Sequence, residues 1–543
     1  MRKPLPLGED DFRTVIEEGY YYVDKTLMIE DFLTYKNKVA LITRPRRFGK
    51  TLNMTMLRDF FDITQNSLEI FEGLKIMGTA YRDKINSVPV ISLSLKGCTG
   101  KDVEGLKKSL ATEIRKEYSK YAKILEHVDQ KEITYRLYFR TLEMLLGEAL
   151  DEELLKHSLS HLAETLHKFY GVRPMILIDE YDNLIIEAHQ LGFREAFTSF
   201  YAAFLTHALK GNVHVAQGLL TGIQRVAKES IFSKLNNMVV YSVLSKQYST
   251  YFGLTHSETS ELLRDCGLEL SDDVKRFYNG YLFGGEQVYN PWSILSYAHD
   301  KILKNYWLKT STNALIKESV LEAEPDFHHA FEELILKGEV AVRLNLEASF
   351  TELPRTDTLW GLFVNAGYLT VTKEDYELNS FTVRIPNKEI KTEFQEVVGA
   401  YTKLSSQLLQ DMLIALTRGE MSNFLSIYEK LVLESTSFYD GKENAYHMLL
   451  LGMVMNLRDL YEITSNIESG YGRSDILMKS KNMKRPHIVI EFKQGEDVEL
   501  LAQSALKQIF ENKYYAGLQG NILCIGIAHH KKRCRLLHEV ING

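Results

Sequence analysis

The sequence is poor in cysteine, proline and long apolar runs, and it has no excess of positive charge. Four cysteines in 543 residues (Cys98, Cys266, Cys524 and Cys534) are too few for a disulfide scaffold, and none stand at the two-residue spacing of a zinc site. A reducing compartment fits that usage. Ten prolines and 33 glycines, with 45% hydrophobic and 25% charged residues, exclude collagen-like, low-complexity and disordered classes. The longest nearly uncharged apolar run, around residues 446–457, is shorter than the roughly 20 residues of a membrane-spanning helix and is interrupted by His447 and Asn456. No membrane span is expected. The opening Met1-Arg2-Lys3-Pro4-Leu5-Pro6 leads into acidic residues without an apolar signal core, so a cytoplasmic protein is expected. Lys plus Arg number 65 against 72 Asp plus Glu, a net charge of −7. That excludes a global basic coat for nucleic acid and leaves only a local basic groove open.

What is present is a chain long enough for about three or four domains, beginning with short apolar strands that alternate with helical stretches. Lys38-Val39-Ala40-Leu41-Ile42-Thr43 reads as a strand that stops at Arg44-Pro45, and Leu52, Met56, Leu57, Phe60 and Phe61 follow at helical spacing. Further strands are expected at residues 88–95, 175–178 and 213–221, with a long helical stretch over residues 102–169. Apolar strands separated by helices predict a mainly parallel α/β sheet covered on both faces, with ligands at the carboxyl ends of its strands. From about residue 250 the pattern turns to helices with aromatic-rich turns. A helix ending at Gly367 is then followed by a hairpin over residues 368–385, as in a winged-helix unit. The reading is a sheet domain over 1–250, a helical and winged-helix-like region over 251–400, and a final α/β block over 401–543.

Phosphate binding at a helix N-terminus needs backbone N–H groups around a concavity, a lysine for the outer phosphates and a hydroxyl for Mg²⁺. Gly49-Lys50-Thr51 supplies these between a strand and a helix, so Arg46, Arg47, Phe48, Gly49, Lys50 and Thr51 are candidate nucleotide-binding residues. The usual first glycine of such a loop is replaced by Arg44, with Pro45 behind it. Asp179 ends an apolar strand, where a carboxylate can serve Mg²⁺, and Glu180 beside it can orient or deprotonate an attacking water. ATP hydrolysis fits the pair. Asp182 is expected to cap the next helix. Thr221 either contacts the outer phosphate or its water, or is a strand-end hydroxyl bonded to backbone. Arg46, Arg47 and Arg225 are candidates for charge stabilisation.

Four segments together resemble the AAA-ATPase-like family of bacterial proteins: Tyr22-Val23-Asp24-Lys25-Thr26, the stretch from Thr43 through the loop to Thr51, Ile178-Asp179-Glu180-Tyr181-Asp182, and Ser230-Ile231-Phe232-Ser233-Lys234-Leu235-Asn236-Asn237. The resemblance covers roughly residues 5–230, and in that family arginine in place of the first glycine is usual. It implies a P-loop NTPase sheet of the additional-strand type with ATP and Mg²⁺ as cofactors, and names no substrate. Residues 22–26 have no derivable chemistry, and packing is their default role.

In the last block, Asp475 begins an apolar strand, and Glu491 and Lys493 alternate on the next, so a period of two places both on one face. Two carboxylates sharing a divalent ion beside a lysine suit phosphodiester hydrolysis. The alternative is a solvated hairpin with a Glu/Lys ion pair, which the apolar neighbours Ile488, Val489, Ile490 and Phe492 disfavour, because unpaired buried charge is costly. Glu443, four residues before His447, is a further candidate ligand or water-positioning group. Gln508, on a helix with Ala502, Ala505 and Ile509, is placed to orient the lysine or contact the phosphate. These residues, with Ser474 before Asp475 instead of proline, resemble the PD-(D/E)XK nuclease superfamily, which implies a restriction-endonuclease-like domain using Mg²⁺, or Mn²⁺ in its place. The basic run His529-His530-Lys531-Lys532-Arg533-Cys534-Arg535 is either a phosphate-backbone contact or a solvated face.

The function expected is an ATP-binding and ATP-hydrolysing protein that controls a metal-dependent nuclease acting on nucleic acid, DNA in preference to RNA, in defence or mobile-element biology. The alternative is an ATPase switch with a non-cutting nucleic-acid or protein reader at its C-terminal end. Assembly into a homo-oligomer is left open.

Overall fold

Five short segments pair side by side in a wholly parallel sheet in the computed structural model: β1 (Val39–Thr43), β2 (Val90–Ser94), β3 (Met175–Asp179), β4 (Gly218–Gly222) and β5 (Met238–Tyr241). Their order is β2-β3-β4-β1-β5. The structure describes residues 3–123, 125–126, 128–225, 237–307, 323–347, 355–391, 406–434, 443–454, 457–458, 460–469, 472–482, 484–530 and 533–543. Every residue of β1, β3 and β4 is buried, which is why those strands read as unbroken apolar runs. Helices Val103–Ala122, Glu152–Tyr170 and Arg194–Leu209 supply Leu106, Leu110, Leu159, Leu162, Phe204 and Leu205 to a core shared with Leu41, Ile91, Ile176 and Ile178 of the sheet.

β4 lies between β1 and β3, so one strand separates the strand leading into the phosphate loop from the strand ending in Asp179. That is the additional-strand arrangement. Parallel register aligns the carboxyl ends, with Thr43 beside Gly222 and Ser94 beside Asp179, so the loop, Asp179 and Thr221 share one edge of the sheet.

Two strands differ from the sequence reading. β4 starts at Gly218, not at Val213: Val213 is exposed, the His214 backbone amide donates to the Asn212 side chain in a turn, and the Gln217 side-chain Nε2 donates to the carbonyls of Phe32 and Asn37. β5 was not expected; it is a short, half-exposed edge strand without an apolar run's signature.

The chain forms two compact units, Met1–Trp307 with Val342–Glu389 and Leu308–Ala341 with Ile390–Gly543, each described here by itself. These divide the chain differently from the three sequence segments, because the region after residue 250 continues the first unit. It contributes helices His256–Asp265, Asp272–Tyr278 and Pro291–Asp300 and a small antiparallel sheet of Leu254–Thr255, Glu286–Tyr289 and Tyr281–Phe283. Phe48 is buried against the rings of Tyr281 and Phe283, centroids 5.0 and 5.1 Å away, so this region holds the phosphate loop from behind. Helix Thr356–Ala366 does end at Gly367, whose φ of 88° closes it, and strands Thr370–Asp375 and Ser380–Arg384 form the expected hairpin.

The second unit carries helices Ser406–Arg418, Met421–Glu434 and Glu443–Val454 and a mixed five-stranded sheet. In spatial order the strands are Tyr461–Ser469, Gly472–Ser480, His487–Gln494, Asn521–His530 and Arg533–Asn542; only His487–Gln494 and Asn521–His530 pair in parallel. Helix Val498–Glu511 makes that parallel crossover and buries Ala502, Ala505 and Ile509. A Cβ at Gly526 would stand 2.5 Å from the Leu506 nitrogen, so only glycine lets the helix lie this close to the strand.

Candidate active sites

At the tip of β1 the chain turns through Arg44-Pro45 into the loop, and Gly49, at φ 81°, starts helix Lys50–Phe61 from the left-handed region. Arg44 does not face the loop. It is fully buried, its Nη1 donates to the carbonyls of Thr43 and Tyr241, and its guanidinium lies over the rings of Phe252 and Phe283; burial pulls its pKa down to about 9. Lys50 is buried, and its Nζ donates to the carbonyls of Arg44 (3.1 Å) and Pro45 (2.9 Å). Burial lowers its pKa, opposed by the charges of Glu180, Asp179 and Asp182.

Asp179 gathers the other groups. Its Oδ2 accepts from the Thr51 hydroxyl at 2.6 Å, and its Oδ1 accepts from the Thr221 hydroxyl and from the Glu180 amide at 3.1 Å. Carboxylate and hydroxyl oxygens are hard donors of the kind Mg²⁺ takes, so Thr51 and Asp179 fit that ion. Glu180 sits at φ 50°, an uncommon backbone for a non-glycine residue and one that costs of order 1–3 kcal/mol where it occurs.

Several sequence expectations need correction here. Thr221 donates to Asp179, so its strand-end hydroxyl is not bonded to backbone, the plainer of its two expected roles. Asp182 makes no side-chain cap; it is buried and accepts from the amides of Ile223 (2.9 Å) and Gln224 (3.1 Å), tying β3's end to the turn after β4. Burial lifts its pKa to about 6 against those two bonds. Arg47 donates to the carbonyls of Tyr306 and Trp307 and lies 4.7 Å over Trp292, so it anchors the loop from behind. The Phe48 side chain is likewise core. Arg46 is half-buried on the loop. Arg225 pairs with Glu347 at 2.5 Å. Residues 230–236 of the fourth resemblance segment lie outside the described residues.

In the second unit, Ile476 stands opposite Ile490, which sets Asp475 and Glu491 on neighbouring strands at the next position. Each carboxylate reaches the other strand: Asp475 Oδ2 accepts from the Phe492 amide at 2.7 Å, and Glu491 Oε2 from the Asp475 amide at 3.4 Å. Lys493 Nζ is 3.6 Å from Glu491 Oε1. Glu491 is 3% exposed, and burial, then the charge of Asp475, raises its pKa to about 8, with Lys493 opposing. Gln508 Nε2 donates to Glu491 Oε1 and to the Tyr514 hydroxyl, so it holds the glutamate in place of the lysine, one of the two partners expected of it. Two carboxylates and no soft donors suit a hard divalent ion, although among the described residues no group of three or more His, Cys, Asp or Glu side chains that could hold a metal ion is found, at this site or elsewhere.

Glu443 opens its helix, but its side chain lies outside the described residues. His447, one turn on, was not expected to matter by itself: its Nε2 lies 3.0 Å from the Asp475 carbonyl and 2.9 Å from the Ser465 hydroxyl, supporting the strand that carries Asp475. No sequence signal marks it, since a histidine on an apolar helix face has many uses.

The basic run does not act as one patch. His529 is fully buried, stacked at 4.0 Å on Tyr446 and 2.9 Å from the Tyr428 hydroxyl; Cys534 is buried, and Arg535 pairs with Glu499 at 2.8 Å. Lys531 and Lys532 lie outside the described residues. Burial lowers the His529 pKa to about 3. Its folded value therefore lies below the unfolded one near 6.5, so its contribution is complete above pH 6.5 and declines as acid is added, by about 2 kcal/mol at pH 5. Urea unfolding should show that loss between pH 6.5 and 5, and His529→Phe should flatten it; an unchanged slope in the variant would refute the assignment.

Residues 6–232 match the family model described as predicted AAA-ATPase, and residues 441–539 match the PD-(D/E)XK nuclease superfamily model. The chain joins an AAA-ATPase-like region to a PD-(D/E)XK nuclease-superfamily region. The AAA-ATPase-like match contains the loop, Asp179 and Thr221; the nuclease-superfamily match contains Asp475, Glu491, Lys493 and Gln508. A protein of Azotobacter chroococcum mcd 1, described as an uncharacterized protein in the vnfD 5′ region, is 27% identical over 413 residues, covering 73% of this chain and 70% of that one. Among the described residues no helix is long and apolar enough to cross a membrane.

Proposed function

We propose that the AAA-ATPase-like unit binds and hydrolyses ATP and that its nucleotide state controls cutting of nucleic acid, DNA before RNA, by the nuclease-superfamily domain. The observation that carries the first half is Asp179 at the strand tip, bonded by Thr51 of the loop, with Lys50 of the same loop held on the carbonyls of Arg44 and Pro45. In this reading Thr51 and Asp179 hold Mg²⁺, and Lys50 leaves the loop carbonyls to neutralise the outer phosphates. Glu180 accepts the proton of the attacking water. Asp182 keeps the turn after β4 fixed to the acidic strand.

At the second site Asp475 and Glu491 hold Mg²⁺ or Mn²⁺, and Lys493 offsets charge developing on the phosphodiester. A bound divalent ion would supply charge neutralisation and a deprotonated water at both sites. Gln508 and Tyr514 orient Glu491, and the Phe492 amide fixes Asp475. A defence or mobile-element setting fits a nuclease kept under nucleotide control. The test measures phosphate release and cleavage of plasmid, single-stranded DNA and RNA by the same preparation, with Mg²⁺ or Mn²⁺. ATP hydrolysis together with metal-dependent cleavage is the expected result; a protein inert in both assays contradicts the proposal.

A further inference from the structure

Strand Arg533–Asn542 is the last of its five-stranded sheet, and among the described residues nothing pairs with its outer edge. Open edges are usually blunted by brevity, a bulge, proline or lysine. This one has 10 residues, keeps one-to-one register with Asn521–His530 throughout, and contains neither proline nor lysine. We infer that it pairs antiparallel with the same strand of a second copy of this chain, about a two-fold axis at Leu537.

Gly520 and Gly543 exchange backbone bonds of 2.9 and 3.4 Å, so the alternation of the ladder turns the odd-numbered residues from 533 to 541 toward Asn521–His530. The backbone groups of Cys534, Leu536, His538 and Val540 therefore point outward. An axis at Leu537 sets Leu536 opposite the copy's His538 and Cys534 opposite its Val540, so outward groups meet outward groups in a self-complementary ladder. It also sets Arg535 opposite Glu539, twice, in the non-hydrogen-bonded pairs whose side chains stand closest. Both are exposed. Arg535 already holds Glu499 at 2.8 Å, and its five donors serve a second carboxylate. Val540, apolar and 58% exposed, gains Cys534 as a cross-strand neighbour.

The register carries a second argument. Glu491 stands opposite Gly526, and Gly526 opposite Leu537, so the carboxylate site lies in line with the axis. Antiparallel pairing keeps each face of the sheet on one side. The two Glu491 residues then share a face of one continuous sheet, five strands from each copy, at five inter-strand spacings of about 4.8 Å, roughly 24 Å apart. That is about seven base-pair steps of ~3.4 Å. The assembly thus presents two sites to one duplex and cuts both of its strands, a consequence that rests on the nuclease reading; the interface itself does not.

The experiment is analytical sedimentation of the full chain at micromolar concentration without nucleotide. Wild type should have the mass of two chains. Glu539→Arg sets like charges opposite each other and should give single chains; adding Arg535→Glu to it should restore the pair. His538→Pro removes only an outward N–H, which an edge strand tolerates, and should give single chains with an unchanged circular dichroism spectrum. Should the proline variant lose that spectrum, the charge exchange decides. A wild-type mass of one chain or of more than two overturns the inference, as does a two-chain mass that survives Glu539→Arg and His538→Pro, and a double variant that stays single overturns the axis at Leu537. Plasmid cleavage in Mg²⁺ tests the consequence: wild type should yield linear product and Glu539→Arg nicked circles. Linear product from single chains overturns the paired cut and leaves the interface standing, whereas no cleavage by either form overturns the nuclease reading and leaves the masses to decide the interface.

Discussion

Glu491→Gln should abolish most nucleic-acid cleavage, by roughly 10²–10⁴-fold, while leaving ATP hydrolysis unchanged. The substitution is chosen because the fold should survive it. Glu491 is buried, and a glutamine carbonyl of the same shape can still accept from the Asp475 amide or from Gln508. What is lost is one of two anionic oxygen donors beside Lys493, and with it affinity for a hard divalent ion. Cleavage rates at saturating Mg²⁺ and Mn²⁺, with phosphate release as the internal control, decide the matter. Wild-type cleavage by the glutamine variant would remove Glu491 from the chemistry.

Lys50→Ala should weaken ATP binding about 10- to 150-fold, the equivalent of ~1.5–3 kcal/mol for a hydrogen bond to a charged group. The free protein stores the ammonium on the carbonyls of Arg44 and Pro45, and burial depresses its pKa, so it is costly to hold without an anion. Alanine should therefore cost little stability and much affinity. Titration of the variant with Mg²⁺ and ATP, beside its urea midpoint, separates the two effects; unchanged affinity would show that the phosphates bind elsewhere.

The sequence was legible where a local pattern determines the outcome. β1 and β3 are buried on both faces, so their apolar runs name them, and Gly49-Lys50-Thr51 and Asp179 follow at their carboxyl ends, where a parallel sheet brings such groups together. Period two likewise placed Glu491 and Lys493 on one face of a strand, and antiparallel pairing brought Asp475 beside them. What escaped depends on contacts far apart in the chain. Asp182 looks like a cap until the turn after β4 supplies the amides of Ile223 and Gln224. Arg47 looks like a phosphate ligand until the carbonyls of Tyr306 and Trp307 claim it. His529 belongs to a basic run by sequence and to an aromatic core by packing, and β5 is too short and too exposed to carry a strand's pattern.

Nucleotide control of cutting is tested most directly by following plasmid cleavage in Mg²⁺ as ATP is titrated into wild type, Lys50→Ala and Glu491→Gln. The account predicts cleavage that changes with ATP in wild type, that no longer responds to ATP in Lys50→Ala, and that is absent from Glu491→Gln at every ATP concentration. Cleavage in wild type that is identical with and without ATP and matches that of Lys50→Ala would contradict it.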